Sequence, residues 1–167
     1  AFVAHGRGTP CPTSVELADR LEAVTQRLKT ALPAPGQVPQ GHNAWESVPN
    51  AIVPRYLLQD PNGRAVTNED FLGRFQLVAF GYTSCPDICP TTLAEMKQTL
   101  DRLSPENLKH VQVVFVTVHP KRDTPERVQE YVNHFNSSFI GLSGSETELT
   151  KIWNDYGIYR LEVPGVS

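Results

Sequence analysis

Residues 76 to 80, Gln76-Leu77-Val78-Ala79-Phe80, form a short and almost wholly apolar run, the mark of a strand buried on both faces. From residue 91 to 103 the period changes. Leu93, Met96, Leu100 and Leu103 recur at spacings of three and four, which lines one face of a helix, and Pro90 suits a first turn that needs no N–H. Ser104-Pro105-Glu106-Asn107 breaks the chain, and the apolar run from Val111 to Val118 is the next strand. Strand, helix, strand predicts a right-handed parallel crossover. Thr124-Pro125-Glu126 then opens a helix with a cap, a proline at its first position and an acid in its first turn, and Val128, Tyr131, Val132 and Phe135 give its buried face. Phe139 to Leu142 is a short strand. Behind it, Ser145-Glu146-Thr147-Glu148 is a capping box for a helix whose apolar side is Leu149, Ile152, Trp153 and Tyr156, stopped by Gly157.

Upstream, Asp60-Pro61-Asn62-Gly63 is a turn in which proline presets φ and glycine tolerates its positive values. It joins Ile52 to Leu58 and Arg64 to Thr67 as a β-hairpin, and Asn68 caps a short turn through Phe71. Nearer the N-terminus, Thr13 or Ser14 caps a helix to about Leu32, with Val15, Leu17, Leu21, Val24 and Leu28 as a partial apolar stripe. A linker rich in proline (Pro33, Pro35, Pro39) follows, so this helix reads as an appendage that docks on the main domain or on another chain. Residues 1–12 read as a mobile arm, with His5 solvated. The division is therefore an arm, helix and linker over 1–44 and an α/β domain over 45–167.

Composition narrows the function classes. A chain of 167 residues, 40% hydrophobic and 20% charged, supports one domain with a real core. With Lys+Arg 15 against Asp+Glu 18 the net charge is -3, which leaves no electrostatic footprint for nucleic acid. No apolar run reaches the roughly eighteen residues of a membrane span. The chain begins at Ala1, from which we expect a processed product whose signal or membrane anchor lies upstream.

The chemistry concentrates where the first apolar strand meets its helix. Cys85 and Cys89 lie in Gly81-Tyr82-Thr83-Ser84-Cys85-Pro86-Asp87-Ile88-Cys89-Pro90, at a helix N-terminus whose dipole and free N–H groups favour thiolate. A separation of about one turn puts both sulfurs on one side. That arrangement permits a disulfide, a redox couple, or two ligands for a soft metal such as Cu(I) or Zn(II). A static staple between residues so close closes a very small loop and adds little stability by loop entropy. Cys11, flanked by Pro10 and Pro12, reads as a free or intermolecularly paired thiol. His119, in His119-Pro120-Lys121-Arg122-Asp123 after the second strand, falls on the same sheet edge as the cysteines, and strands ~4.8 Å apart bring it near them if the two strands are neighbours. A lone loop histidine is more often solvated than ligating. His42, His110 and His134 have weaker placements still.

Phe80 to Leu93, with Val116-Thr117-Val118-His119-Pro120-Lys121-Arg122-Asp123-Thr124-Pro125 and Phe139-Ile140-Gly141-Leu142-Ser143-Gly144, resembles the Sco (SenC/PrrC) family of copper proteins over about residues 53–157. The resemblance implies a thioredoxin-like α/β fold, with a central mixed sheet flanked by helices. It also implies a copper metallochaperone that serves the dinuclear copper centre of cytochrome c oxidase, tethered to a membrane on the periplasmic or intermembrane-space side. Cys85 and Cys89 match the family's copper thiolates. The family's third ligand is a histidine in a later segment, and this chain stops at Ser167 before any such segment, so the fold's last strands and helix are expected to be missing with it. His119 stands where the family has aspartate. On this reading Cys85 and Cys89 hold Cu(I), His119 partly substitutes for the absent ligand, and the site also accepts Cu(II) before passing copper to the oxidase subunit or another copper protein. Two alternatives stay open: a thiol-disulfide oxidoreductase or redox sensor with Cys85 and Cys89 as its catalytic couple, and a truncated, inactive domain with a sticky sheet edge. Peroxiredoxin chemistry fits less well, because Tyr82 stands where a peroxide-activating Thr or Ser is needed.

Overall fold

A computed structural model describes residues 2–3, 13–31 and 55–158. In chain order these form β1 (Phe2–Val3), α1 (Ser14–Ala31), the hairpin β2 (Leu57–Gln59) and β3 (Ala65–Thr67), β4 (Phe75–Gly81), α2 (Ile88–Arg102), α3 (Pro105–Leu108), β5 (Val111–Thr117), α4 (Pro125–Asn133), β6 (Ile140–Leu142) and α5 (Glu146–Asp155), with a 3-10 turn (Asn68–Phe71) before β4. The central sheet runs β1-β4-β5-β6, and each of its described pairs is parallel. An antiparallel element joins its edge through the hairpin, where Gln59 and Ser143 exchange backbone hydrogen bonds of 2.7 and 3.1 Å.

Both faces of this sheet are covered, which explains the largely apolar runs of β4 and β5. On one face Leu77, Ala79, Val113 and Phe115 pack with α1, α2 and α4, and the two cysteines belong to this cluster. Val78, Val114 and Val116 point the other way, against the hairpin and α5. Every residue of β5 is buried.

Several boundaries differ from the sequence reading, each for a local reason. The cysteine helix starts at Ile88, earlier than residue 91, because Pro90 in a first turn removes an N–H that has no helical partner. The 3-10 turn is capped by Thr67, not Asn68: the Thr67 side chain and Asp70 bond each other's backbone reciprocally. Ser104-Pro105 opens a short capped helix where only a break was expected. Phe2 and Val3, read as part of a free arm, pair with Leu77 and Val78, since β4 otherwise presents an open edge. Helix α1 docks on this domain, with Ala18 and Leu21 buried against α2 and the Thr99 hydroxyl donating to the Ser14 carbonyl at 3.4 Å. His5, Cys11, His42, the Pro-rich linker and the domain start near Trp45 lie outside the described residues. Among the described residues no helix is long and apolar enough to cross a membrane.

Helix α4 presses on β6 at backbone contact. A Cβ at Gly141 would stand 2.7 Å from the Val128 carbonyl carbon, and the Gln129 side chain closes the seam by donating to the Phe139 carbonyl and accepting from the Gly141 N–H, both at 2.9 Å. Gly141→Ala should therefore destabilise the fold by about 1–3 kcal/mol, as overpacking against rigid backbone does. Denaturant unfolding of the variant checks this, and an unchanged midpoint would refute it.

Candidate metal centre

Strand β4 ends at Gly81, and Gly81 pairs with Thr117 at the end of β5, so the loops after both strands open on one edge. The Val118 N–H donates to the Gly81 carbonyl at 2.7 Å and carries the pairing one step further. From there residues 82–87 turn the chain into α2. The Cys85 N–H donates to the Tyr82 carbonyl at 3.1 Å, which sets Cys85 just before the Asp87 cap, and Cys89 falls in the first helical turn.

The sulfurs are brought together. Cys89 N–H points at Cys85 Sγ, at 3.4 Å, and both cysteines are free and buried. Gly81 makes room for this: a Cβ there would lie 2.6 Å from Cys89 Sγ and 2.9 Å from the tip of the Phe115 ring. No other residue type leaves that space.

Their environments differ. Burial alone would raise the Cys85 thiol, but hydrogen bonds from the Cys89 thiol, the N–H groups of Cys89 and Asp87, and the Tyr82 hydroxyl outweigh it and hold Cys85 below the ordinary thiol range. Burial, together with the proton it donates to Cys85, pushes Cys89 up to about 12. The Tyr82 phenol is raised, chiefly by the Cys85 charge beside it. The pair is thus unequal, Cys85 being the more easily ionised of the two.

A buried carboxylate fastens the surrounding loops. Asp123, fully buried, accepts from the Thr83 N–H at 2.9 Å, the Thr83 hydroxyl at 2.6 Å and the Thr117 hydroxyl at 2.9 Å. Its backbone carbonyl accepts from the Ser143 hydroxyl at 2.8 Å, so the ends of β4, β5 and β6 meet on one residue. In the sequence Asp123 closes the run His119-Pro120-Lys121-Arg122-Asp123 without a sign of this role. A carboxylate two residues before a helix proline looks like loop chemistry until the sheet edge closes over it.

His119 arrives on the predicted edge, because β4 and β5 are neighbours. Its N–H donates to the Thr117 hydroxyl at 2.9 Å, while its ring Nδ1 is buried without a hydrogen-bond partner. It is not gathered with the cysteines: among the described residues no three His, Cys, Asp or Glu side chains converge as a metal site. His134 Nδ1 is occupied by the Glu130 carbonyl at 2.8 Å.

A family model for SCO1/SenC matches residues 45–166. The chain belongs to the SCO1/SenC family. A putative copper-binding protein of Stutzerimonas stutzeri is 37% identical over 106 residues, 64% of this chain and 52% of that protein. The mitochondrial SCO2 homolog of Homo sapiens is 41% identical over 103 residues, 61% of this chain and 39% of that protein. The chain spans about half the length, or less, of these curated relatives. Among solved structures, Bradyrhizobium japonicum ScoI with copper bound superposes with a TM-score of 0.62 at 37% identity, over 68% of this chain and 71% of that one. Likeness to such Sco structures makes the fold thioredoxin-like, as the resemblance implied.

Tyr82→Phe removes one hydrogen bond to the Cys85 thiolate and nothing from the core. The pH midpoint of Cys85 alkylation by iodoacetamide should move upward, so that reaction near neutral pH slows. An unmoved midpoint would show that the phenol does not hold the thiolate.

Proposed function

We propose that this protein carries copper, capturing Cu(I) between Cys85 and Cys89 and passing it to a protein whose own cysteines replace them one at a time. The observation that carries this reading is the Cys89 N–H directed at Cys85 Sγ, which fixes two soft sulfur donors together at the entry to α2. Such a donor set suits Cu(I); the family model covers both cysteines, and a relative of this chain is described as a putative copper-binding protein. Both thiols must be deprotonated in the complex; Cys85 is predisposed to this, and binding metal draws the proton from Cys89. Tyr82, 38% exposed, and Ile88, 55% exposed, rim the site and offer apolar contact to a docking partner. The acceptor we assign is the dinuclear copper subunit of cytochrome c oxidase, reached from a membrane-tethered position on the periplasmic or intermembrane-space side.

His119 is proposed as an auxiliary ligand. Its Nδ1 is buried without a partner on the same edge as the sulfurs, and engaging the metal needs movement of the loop after β5.

The unequal thiols also favour a second reading, reduction of a partner's disulfide. Cys85 thiolate attacks one partner sulfur and expels the other as thiolate; Cys89, giving up its proton, then attacks Cys85 Sγ and frees the first. The partner gains two electrons and ends as one thiol, carrying the Cys89 proton, and one thiolate that is protonated by water, while Cys85 and Cys89 end as a disulfide.

Anaerobic Cu(I) titration of the reduced protein against a competing chelator tests the carrier reading. One copper should bind tightly per chain, and Cys85→Ser or Cys89→Ser should weaken it by orders of magnitude. No competition by the wild type, with rapid reduction of disulfides, would replace the carrier reading with the second. For the auxiliary ligand, His119→Ala should lower affinity and alter the Cu(II) absorption spectrum; unchanged values of both would remove His119 from the site.

A further inference from the structure

Helix α1 lies outside residues 45–166, the stretch matched by the family model, yet it packs on the helix that carries Cys89. Its start is built locally. The Thr13 hydroxyl accepts from the Glu16 N–H at 3.4 Å, and the Glu16 carboxylate accepts from the Thr13 N–H at 2.9 Å. One turn further on, Ala18 and Leu21 enter the apolar cluster that also holds Cys85, Cys89, Leu93, Met96 and Leu100. A single cluster therefore joins the N-terminal helix to the thiols.

Polar contacts fix two points of α2. The Ser14 carbonyl accepts from the Thr99 hydroxyl at 3.4 Å, and Thr99 is fully buried. Just past the end of α2, the Ser104 N–H donates to the Glu22 carboxylate at 3.4 Å. Both bonds are long, so among the described residues the docking rests chiefly on Ala18 and Leu21, with Leu17 partly buried beside them. The other end of α2 has no slack. Cys89 Sγ fills the place of the missing Gly81 side chain, where a Cβ would stand 2.6 Å from it, against the tip of the Phe115 ring. Close-packed helices transmit displacement along their length, so a shift of α2 at Thr99 draws Cys89 from that niche.

We infer that α1 is a removable clasp on the cysteine helix. Docked, it keeps Cys89 seated against Gly81; released, it frees α2 to tilt and brings Cys89 within reach of a partner. The stretch between α1 and β2 leaves chain enough for the helix to lift off and stay attached. The inference goes beyond the carrier reading, because metal capture and disulfide reduction both need access to this thiol. Control of that access lies in a segment that the family model does not span.

The test follows Cys89 alone, in the full chain with Cys85→Ser, metal-free and reduced. Its modification by N-ethylmaleimide is read by peptide mass spectrometry. Adding Leu21→Ala, which touches neither α2 nor the sulfurs, should speed the modification about tenfold or more, since deleting a buried leucine side chain raises the opened population at least that far. Leu58→Ala removes a buried leucine from the cluster on the opposite face of the sheet, and it should leave the Cys89 rate near that of the parent. Ala18→Gly is a milder change on the docked face of α1 and should move the rate in the same direction, which covers a Leu21→Ala chain that fails to fold. Rates equal to the parent's in the folded α1 variants would overturn the inference. Equal acceleration by Leu21→Ala and Leu58→Ala at matched loss of the denaturation midpoint would overturn it too, because Cys89 would then follow global stability and not the clasp.

Discussion

One buried carboxylate holds the sheet edge in the shape the cysteines need. Asp123 takes two hydrogen bonds from Thr83 in the cysteine loop and one from Thr117 at the end of β5, and anchors Ser143 beyond β6 through its own carbonyl. Thr117 and Ser143 are buried and Thr83 is half-buried, so releasing these donors from Asp123 would leave buried hydroxyls without partners, and the loops have little freedom to separate. Thr83 is next but one to Cys85, and Thr117 also receives the His119 N–H. The position of the thiols and the path of the histidine loop therefore depend on the same side chain.

Within that frame the two cysteines are not equivalent. Gly81 lets Cys89 Sγ sink against the backbone of β4, where burial keeps it protonated, while Cys85 sits among N–H and O–H donors that favour its thiolate. On the carrier reading, a metal ion would engage the more easily ionised Cys85 first and recruit Cys89 by displacing its proton. Capture by steps, and release by the same steps in reverse, suit a carrier that must give up what it binds. The same inequality serves disulfide exchange, so thiol chemistry and metal binding are two uses of one geometry.

Much of this was legible in the residues because the local rules agree with one another. Continuous apolar runs in β4 and β5 belong to a sheet covered on both sides, and the capping box at Ser145 with the stop at Gly157 brackets α5. The cysteine helix followed from the spacing of Leu93, Met96, Leu100 and Leu103, and the placement of His119 on the same sheet edge from the parallel crossover. What could not be read depends on contacts between distant positions. Asp123 meets Thr83 across forty residues of chain, and nothing near Asp123 marks it as buried. Gly81 and Gly141 look like ordinary strand glycines until the Cys89 sulfur and the backbone of α4 are seen to occupy their missing side chains. Tyr131 fits the helical period of a core residue, and only the unpaired oxygen at its far end sets it apart. Likewise Phe2 and Val3 join the sheet because an edge strand needs a partner, a demand that originates in β4 and not in their own neighbours.

On the carrier reading, Cys85 and Cys89 hold copper together. X-ray absorption at the copper edge of the reduced, Cu(I)-loaded protein examines that bond directly. Two sulfur neighbours per copper at a thiolate distance are expected, both lost when Cys85 and Cys89 are replaced by serine. A copper surrounded by nitrogen or oxygen alone, or one whose sulfur shell survives the double replacement, would contradict it.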